Sequence, residues 1–180
     1  MDKETFTLKL HECCSDDDLR PIMNCVHFKG GYAYASDAHI VIKQSLEYHT
    51  IINPELLDGK SLHKDNFKAV MGFERAECYD AGIACTDHDG RAAFFEYFDR
   101  KGQEMPDFDK VLTPKGYKSV EQIGISPEYI TMLAKAMHSP NRIFRLRFQG
   151  MEGGILIDVP EIPHQWALLS VVILNETLFG

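Results

Sequence analysis

Acidic residues and histidines lie close together at two places in the sequence, and either place could supply a general acid or base. Asp37 and His39 are two positions apart, and Asp87, His88 and Asp89 are consecutive. Such side chains transfer protons near neutral pH when they are held beside a substrate. They are equally common in turns, where they hydrogen-bond their own backbone. The sequence has no nucleophile-elbow, phosphate-loop or dinucleotide motif, so we expect a protein that is not an enzyme. A small metal-dependent hydrolase or nuclease using residues 87–89 is the third interpretation.

Cysteines and histidines could bind zinc in two places. One group is His11, Cys13, Cys14, Cys25 and His27, and the other is Cys78, Cys85 and His88. Neither contains the paired Cys-x-x-Cys spacing that is typical of a tetrahedral zinc site. We therefore predict no bound metal and no cofactor. Because the five cysteines are an odd number and two of them are adjacent, reduced thiols and a cytoplasmic location are expected.

Basic side chains on two segments of helical periodicity could bind phosphate groups. Lys64 and Lys68 are four residues apart on the first segment. Lys135 lies on the second segment, and Arg142 follows its end. If both helices lie on one face of the fold, Lys64, Lys68, Lys135 and Arg142 form one DNA-binding surface that faces the phosphates. A solvated helix face is the alternative explanation of the same pattern.

The overall charge limits what such a surface can do. A net charge of −8 argues against wide, non-specific coating of nucleic acid, although it permits one local basic surface. Arg145 and Arg147 share one face of a predicted strand and form a second candidate patch, whereas Asp16, Asp17 and Asp18 are expected in a solvated loop. No stretch approaches the roughly 20 apolar residues of a membrane helix, so we expect no membrane partner.

Two helices must position the basic residues. Phe67, Val70 and Met71 have the spacing of one buried helix face, which predicts a helix over residues 62–71. Pro127 is a favourable first helical residue, and the apolar positions that follow it predict a second helix over residues 127–138. We expect the apolar stripe of the second helix to be Ile130, Leu133, Ala134 and Met137.

Extended segments surround both helices. Strands are predicted at residues 5–10, 22–28, 32–42, 48–52, 120–125, 143–148, 154–159 and 166–174. Residues 76–85 and 91–99 are predicted to form two or three more strands, and residues 101–118 a loop. The order strand, helix and three strands occurs at 48–100 and again at 120–174, after N-terminal strands within 1–47. We therefore predict an α+β fold in a single domain, residues 1–180. It contains two βαβββ units, with both helices on one face of antiparallel sheets.

Several segments occur in the same order as in a known family. Residues 19–28 (LRPIMNCVHF) and 31–39 (GYAYASDAH) resemble strands that carry RPILNGV and VATDGHRL. Residues 105–114 (MPDFDKVLTP) resemble a connection FPDYxxVIP, and residues 125–130 and 144–148 resemble a later helix and strand. The family is the bacterial DNA polymerase III beta subunit, the sliding clamp.

The resemblance implies a clamp-like domain with helices that face encircled DNA. It implies DNA tethering or a processivity role without catalysis, in a bacterium, a phage or a mobile element. The implied partners are duplex DNA, a polymerase or other replication proteins, and further copies of the chain, since 180 residues are fewer than a three-domain clamp has. Asp37 and His39 would be structural residues at a strand end.

The sequence also departs from the family pattern. TDGHR is replaced by residues 36–40 (SDAHI), and the C-terminal MPVRL, which contributes to a pocket for partner peptides, is replaced by residues 169–174 (LSVVIL). No helix is predicted before Leu19, where the family has one. The acidic balance and the few basic residues support an alternative function, a clamp-fold protein–protein interaction module that does not bind DNA.

Overall fold

The computed structural model describes residues 5–150 and 153–172, and in this part of the chain eleven strands form two sheets beside three α-helices. The helices are α1 (Lys64–Val70), α2 (Phe108–Leu112) and α3 (Pro127–Ala136). The strands are β1 (Cys25–Lys29), β2 (Tyr32–Ser36), β3 (Ile40–Ser45), β4 (Ile51–Ile52), β5 (Ser61–His63), β6 (Arg75–Cys78), β7 (Gly82–Thr86), β8 (Ala92–Glu96), β9 (Arg145–Phe148), β10 (Ile155–Val159) and β11 (Ile162–Leu169). Among these described strands, neighbours pair antiparallel except β4 and β6.

A helical turn followed by three antiparallel strands occurs three times within the described residues. The 3₁₀ turn Leu10–Cys13 precedes β1–β2–β3, α1 precedes β6–β7–β8, and α3 precedes β9–β10–β11. The sequence predicted only the second and third of these. Before Leu19, where no helix was predicted, the described residues form one 3₁₀ turn. The division into units at 48–100 and 120–174 stays a prediction.

The larger sheet joins the two ends of the chain. Its order is β5-β1-β2-β3-β11-β10-β9, and the central pairing places Ile42 opposite Ala167 and Ile40 opposite Leu169. These four side chains are fully buried on the inner face. Alternate residues along the same strands point to the outer face, since successive side chains of a strand alternate. The inner face is therefore the floor of the main hydrophobic core.

Both predicted helices pack on that inner face, as expected. Phe67 and Val70 of α1 and Leu133 of α3 are fully buried, whereas Ile130 is half-buried against the same core. The ring of Phe67 lies 6.3 Å from that of Phe28 on β1. Met71 and Met137, also predicted to be core residues, are 5% and 4% exposed. The prediction of an α+β fold with antiparallel sheets is confirmed.

Buried glutamines attach the end of α3 to the sheet. Gln44 and Gln165, paired across β3 and β11, are both fully buried. The amide nitrogen of Gln44 donates to the carbonyl of Ala136 at 3.1 Å. The carbonyl oxygen of Gln165 accepts from the backbone of His138 at 2.9 Å. Backbone groups at a helix end need such partners, so these contacts fix where α3 stops.

Several predicted strands are wrong in their extent. The segment 32–42 is two strands, because the carboxylate of Asp37 accepts from the N–H groups of His39 and Ile40 at 2.8 and 2.9 Å and turns the chain at Ala38 (φ 80°). The first residues of 22–28 form a 3₁₀ turn (Pro21–Asn24). The last strand lies at Ile162–Leu169 rather than 166–174, and residues 173–174 are outside the described range.

Three other segments differ in type. Residues 5–10 form no strand, although their alternation does bury Leu8 and Leu10. Residues 120–125 contain one isolated bridge, from Gly124 to Val172. The predicted loop 101–118 contains α2, whose Phe108 stacks on Tyr34 at 5.5 Å on the outer face of the larger sheet. Among the described residues no helix combines the length and hydropathy needed to span a membrane.

Candidate nucleic-acid interface

The exposed sides of α1, α3 and the Leu10–Cys13 turn form one surface, which we call the helix surface. The turn contacts both helices. Leu133 and Ala136 face the core, so the neighbouring Lys135 is directed outward. Lys64 is the first residue of α1, and the exposed Lys68 follows one turn later. The structure therefore places three of the four predicted phosphate-facing residues on two helices that flank the Leu10–Cys13 turn.

The three lysines of the helix surface differ in accessibility. The amine of Lys64 donates to the carbonyl of Ser15 at 2.9 Å and pairs with the carboxylate of Asp16, and its side chain is only 17% exposed. The amine of Lys135 lies 4.0 Å from the carboxylate of Glu12 and its side chain is 60% exposed. Since two of the three lysines have carboxylates beside them, the local positive charge is partly neutralised.

His11 lies at the centre of the helix surface. Its Nε2 is 3.6 Å from the Glu12 carboxylate and its ring is 6.3 Å from that of Phe67. Burial lowers the pKa of His11, and the charges of Lys68 and Lys9 lower it further, against a raising effect of Glu12. The imidazole is thus biased towards its neutral form, so the cations of this surface are its lysines.

Arg142 is the fourth predicted site residue and lies apart from the helices. It is an exposed residue of left-handed conformation (φ 57°), and its N–H donates to the carbonyl of Ser139 at 3.1 Å. This turn leads from α3 towards β9. Sequence reasoning missed a different cation, Lys9, which is exposed directly before the Leu10–Cys13 turn. The alternation of residues 5–10 could have indicated it, because that pattern buries Leu8 and Leu10 and leaves Lys9 outside.

The second predicted patch, Arg145 and Arg147, shares one buried carboxylate. Arg145 Nε and Arg147 Nη2 lie 3.1 and 3.0 Å from Asp158 Oδ1. Burial alone would raise the pKa of Asp158, but hydrogen bonds and charges from both arginines hold it below the ordinary value. The carboxylate cancels one of the two positive charges, which weakens this patch as a phosphate site.

A groove of about 390 Å³ lies on the outer face beside this pair, and we call it the outer groove. Its walls are Lys43, Asp109, Leu112, Thr113, Pro114, Tyr117, Arg147, Leu156 and Trp166. The Lys43 amine donates to Asp109 of α2 at 2.7 Å and lies 4.3 Å from the centre of the Tyr32 ring. The groove thus combines apolar walls with two cations that are each paired with a carboxylate, Lys43 with Asp109 and Arg147 with Asp158. This lining suits a short apolar segment whose acidic groups compete for those cations.

The candidate acid–base residues take part in turns. Asp37 holds the turn described above, and the ring of His39 stacks on Tyr129 of α3 at 5.3 Å. Asp87 accepts from the N–H of Glu74 at 2.8 Å, and Asp89 from that of Arg91 at 2.9 Å.

The candidate zinc ligands do not converge. Within residues 5–150 and 153–172, no three cysteine, histidine or acidic side chains are arranged to hold a metal ion. His27 is instead buried, with Nδ1 2.8 Å from the hydroxyl of Ser61 and Nε2 2.9 Å from the carbonyl of Ile22. All five cysteines are buried and unpaired. Burial raises the pKa of Cys25 to about 12 and, as the main cause, that of Cys78 to about 11, which disfavours the thiolate that binds metal.

Solved structures of bacterial sliding clamps share this fold. The DNA polymerase sliding clamp from Bacillus subtilis superposes with a TM-score of 0.66 at 11% identity, over 91% of this chain and 60% of that one. The beta sliding clamp of C. crescentus gives 0.67 at 12%, over 92% and 62%, and the clamp from Pseudomonas aeruginosa gives 0.65 at 12%, over 92% and 64%. No family model and no curated protein matches the sequence.

These similarities define the class of fold. The chain has a partial, divergent sliding-clamp fold, as the sequence resemblance predicted. It spans about three fifths of the length of the clamps it matches.

Proposed function

We propose that this chain is a non-catalytic, clamp-like DNA-tethering protein whose helix surface faces duplex phosphates. The contacts we assign are Lys64, Lys68 and Lys135 on this surface and Arg142 in the turn that follows α3. The observation that carries the proposal is the arrangement of α1 and α3 on one face of a clamp fold, with Lys68 and Lys135 directed outward. Lys9 extends the same surface.

Such a surface should hold DNA weakly and without sequence preference. Lysine contacts to phosphate position a protein on the duplex but do not read the bases. The carboxylates of Glu12 and Asp16 lie beside two of the lysines, and the net charge of the chain is −8. Tethering through so few cations is more effective when several copies surround or flank the duplex, so we include a homo-oligomer in the proposal.

The free edge of β8 supports self-association. No described residue pairs with that edge between Ala92 and Glu96. Backbone N–H and C=O groups alternate in direction along a strand. Arg91 and Tyr97 bond towards the β7 side, through Asp87 and Ala81, so the groups of Ala92, Phe94 and Glu96 point outward.

This edge is complementary to itself. If two copies of β8 pair antiparallel about Phe94, each outward residue meets an outward residue, Ala92 opposite Glu96 and Phe94 opposite Phe94. Both Glu96 carboxylates then face alanines rather than each other. The ring of Phe94 is 50% exposed and lies over Gly82, where even a Cβ would approach it at 2.8 Å. A second copy would cover that ring and satisfy the open row of backbone groups.

The experiment that tests DNA binding is a charge reversal with a matched control. Anisotropy of a labelled duplex at low salt is measured for the wild type, for K68E/K135E, and for K110E/K115E, whose lysines are exposed on α2 and the segment after it. Both double variants add the same negative charge. We expect K68E/K135E to abolish binding and the control to reduce it much less. Equal losses would mean that net charge, rather than the helix surface, determines binding.

The second candidate function is a protein–protein interaction module without DNA binding, and the outer groove favours it. Trp166 is the only tryptophan of the chain and forms one wall of the groove, so its fluorescence reports occupancy. Short apolar–acidic peptides should change that emission in the wild type but not in T113R, which fills the groove. A protein that responds to such peptides and shows no duplex binding at low salt would favour this function over DNA tethering.

The remaining parts of the proposal concern the cellular compartment, the type of organism and the partner proteins. We propose a cytoplasmic protein of a bacterium, phage or mobile element that works beside a polymerase or other replication proteins. Five buried, unpaired thiols are compatible with a reducing compartment. The clamp fold and the turn roles of Asp37 and Asp87 support a function without catalysis.

A further inference from the structure

An acidic loop lies against the first residue of α1. This loop, residues 15–20 with the sequence SDDDLR, follows the Leu10–Cys13 turn directly. It holds Lys64 from two sides, through the carbonyl of Ser15 at 2.9 Å and the carboxylate of Asp16. Lysine side chains are seldom this enclosed on a protein surface, and at 17% exposure Lys64 is the least accessible lysine of the helix surface.

The acidic loop is ordered by its own hydrogen bonds. The N–H of Ser15 donates to the carbonyl of Met23 at 3.0 Å, and that of Asp17 donates to the hydroxyl of Ser15 at 3.0 Å. The carboxylate of Asp17 accepts from the N–H of Leu19 at 2.9 Å and lies 3.3 Å from Arg20 Nε. The carboxylate of Asp17 therefore stabilises the conformation of the loop.

The other two carboxylates of the loop are left at the surface. The side chain of Asp16 is 94% exposed apart from its contact with Lys64, and Asp18 is exposed. A phosphate that approached Lys64 would meet the carboxylate of Asp16. The Asp16 carboxylate thus lies beside the Lys64 amine where a DNA phosphate would bind, and its negative charge repels that phosphate.

We propose that the acidic loop regulates the helix surface by competing with DNA phosphates for Lys64. The inference depends on the proposed DNA-tethering function and adds a built-in restraint to it. Because the ion pair is exposed to solvent, its strength is modest and falls with salt. Releasing Lys64 should therefore tighten duplex binding roughly two- to fivefold at low salt and steepen the salt slope by about 0.9, the contribution of one more phosphate contact.

The variants that test this are D16N and its control D80N. Both remove one negative charge, but Asp80 is an exposed residue of the β6–β7 turn, on the smaller sheet. We expect D16N to bind the duplex two- to fivefold more tightly than D80N. The same comparison in a K64M background should show no difference, because the side chain that mediates the effect is absent. If D16N and D80N bind the duplex with equal affinity in the protein that retains Lys64, the inference is overturned.

A measurement without DNA separates this inference from the proposed function. Acetylation of each lysine by an amine-reactive reagent is followed by mass spectrometry. We expect Lys64 to react more slowly than Lys68 in the wild type, and D16N, but not D80N, to raise the rate at Lys64. If Lys64 reacts as fast as Lys68 in the wild type, the loop does not hold it and the inference fails alone. If Lys64 is protected but neither wild type nor D16N binds DNA, the proposed function fails and the regulatory role fails with it.

Discussion

Individual polar residues inside the fold decide features that hydrophobic patterns cannot indicate. Gln44 and Gln165 are fully buried and hold the end of α3, although glutamine is usually a surface residue. Helical spacing did predict that Lys68 and Lys135 point outward. It could not predict the contact of Lys64 with Asp16, because the two residues are 48 positions apart. The sequence thus predicted which lysines lie on the helix surface, but not how much of their positive charge is neutralised by nearby carboxylates.

His27 gives a prediction about acid stability. Burial lowers its pKa to about 4, against 6.5 for an ordinary histidine. The unfolded chain takes up the proton as the pH falls through 6.5, whereas the folded chain resists until about 4. Stability contributed by neutral His27 is therefore complete above pH 6.5 and is lost between 6.5 and 4, by about 3 kcal/mol. Urea unfolding across this range should show the loss.

One variant isolates that contribution. H27Q should lose less stability on acidification than the wild type. Some acid sensitivity should remain in H27Q, since burial also lowers the pKa values of His11 and His49. An H27Q profile parallel to that of the wild type would mean that His27 is not held neutral.

The secondary-structure elements were predicted best where the apolar residues recur with a clear helical or strand periodicity. Residues 62–71 and 127–138 contain α1 and α3, and β8, β9 and β10 fall within predicted segments. Strands β6 and β7 each extend one residue beyond the predicted segment 76–85. The Leu10–Cys13 turn and α2 were missed because four or five residues are too short for a helical period to emerge. The predicted strand at 120–125 was wrong, since this segment makes only the isolated bridge from Gly124 to Val172 and no continuous ladder.

Packing of α3 is tested by truncating its central residue. Leu133 is fully buried, so L133A removes apolar contact and leaves a cavity. We expect a loss of about 2–5 kcal/mol in the free energy of unfolding, measured by urea denaturation. K135A, two residues away and largely exposed, should change it by less than about 0.5 kcal/mol. Comparable effects of the two variants would contradict the assigned face of α3.

The edge of β8 gives a prediction about assembly. Light scattering after size exclusion should give twice the chain mass of 20.5 kDa for the wild type. F94E places a charge opposite itself in the antiparallel pairing and should yield a monomer. T86E adds the same charge to an exposed residue of the neighbouring strand and should leave the dimer intact. A monomeric wild type would exclude self-association through this edge.

For the whole molecule, collinear sequence resemblance was more informative than any single motif. It predicted the clamp fold, and the solved clamps share that fold at only 11–12% identity. It could not indicate which strands pair at the centre of the larger sheet. The β3–β11 pairing joins residues more than 120 positions apart, such as Gln44 and Gln165, and depends on tertiary packing. The division into two units and the DNA-binding residues stay predictions.

The salt dependence of duplex binding by the wild-type protein tests the central claim most directly. Each phosphate contact contributes about −0.9 to the slope of log affinity against log salt, so the four assigned cations allow a slope no steeper than about −4. Because the acidic loop occupies Lys64, we expect a slope between about −2 and −4, with no preference among duplexes of different sequence. Absence of binding at the lowest salt, or binding that does not weaken as salt is added, would contradict DNA tethering through the helix surface.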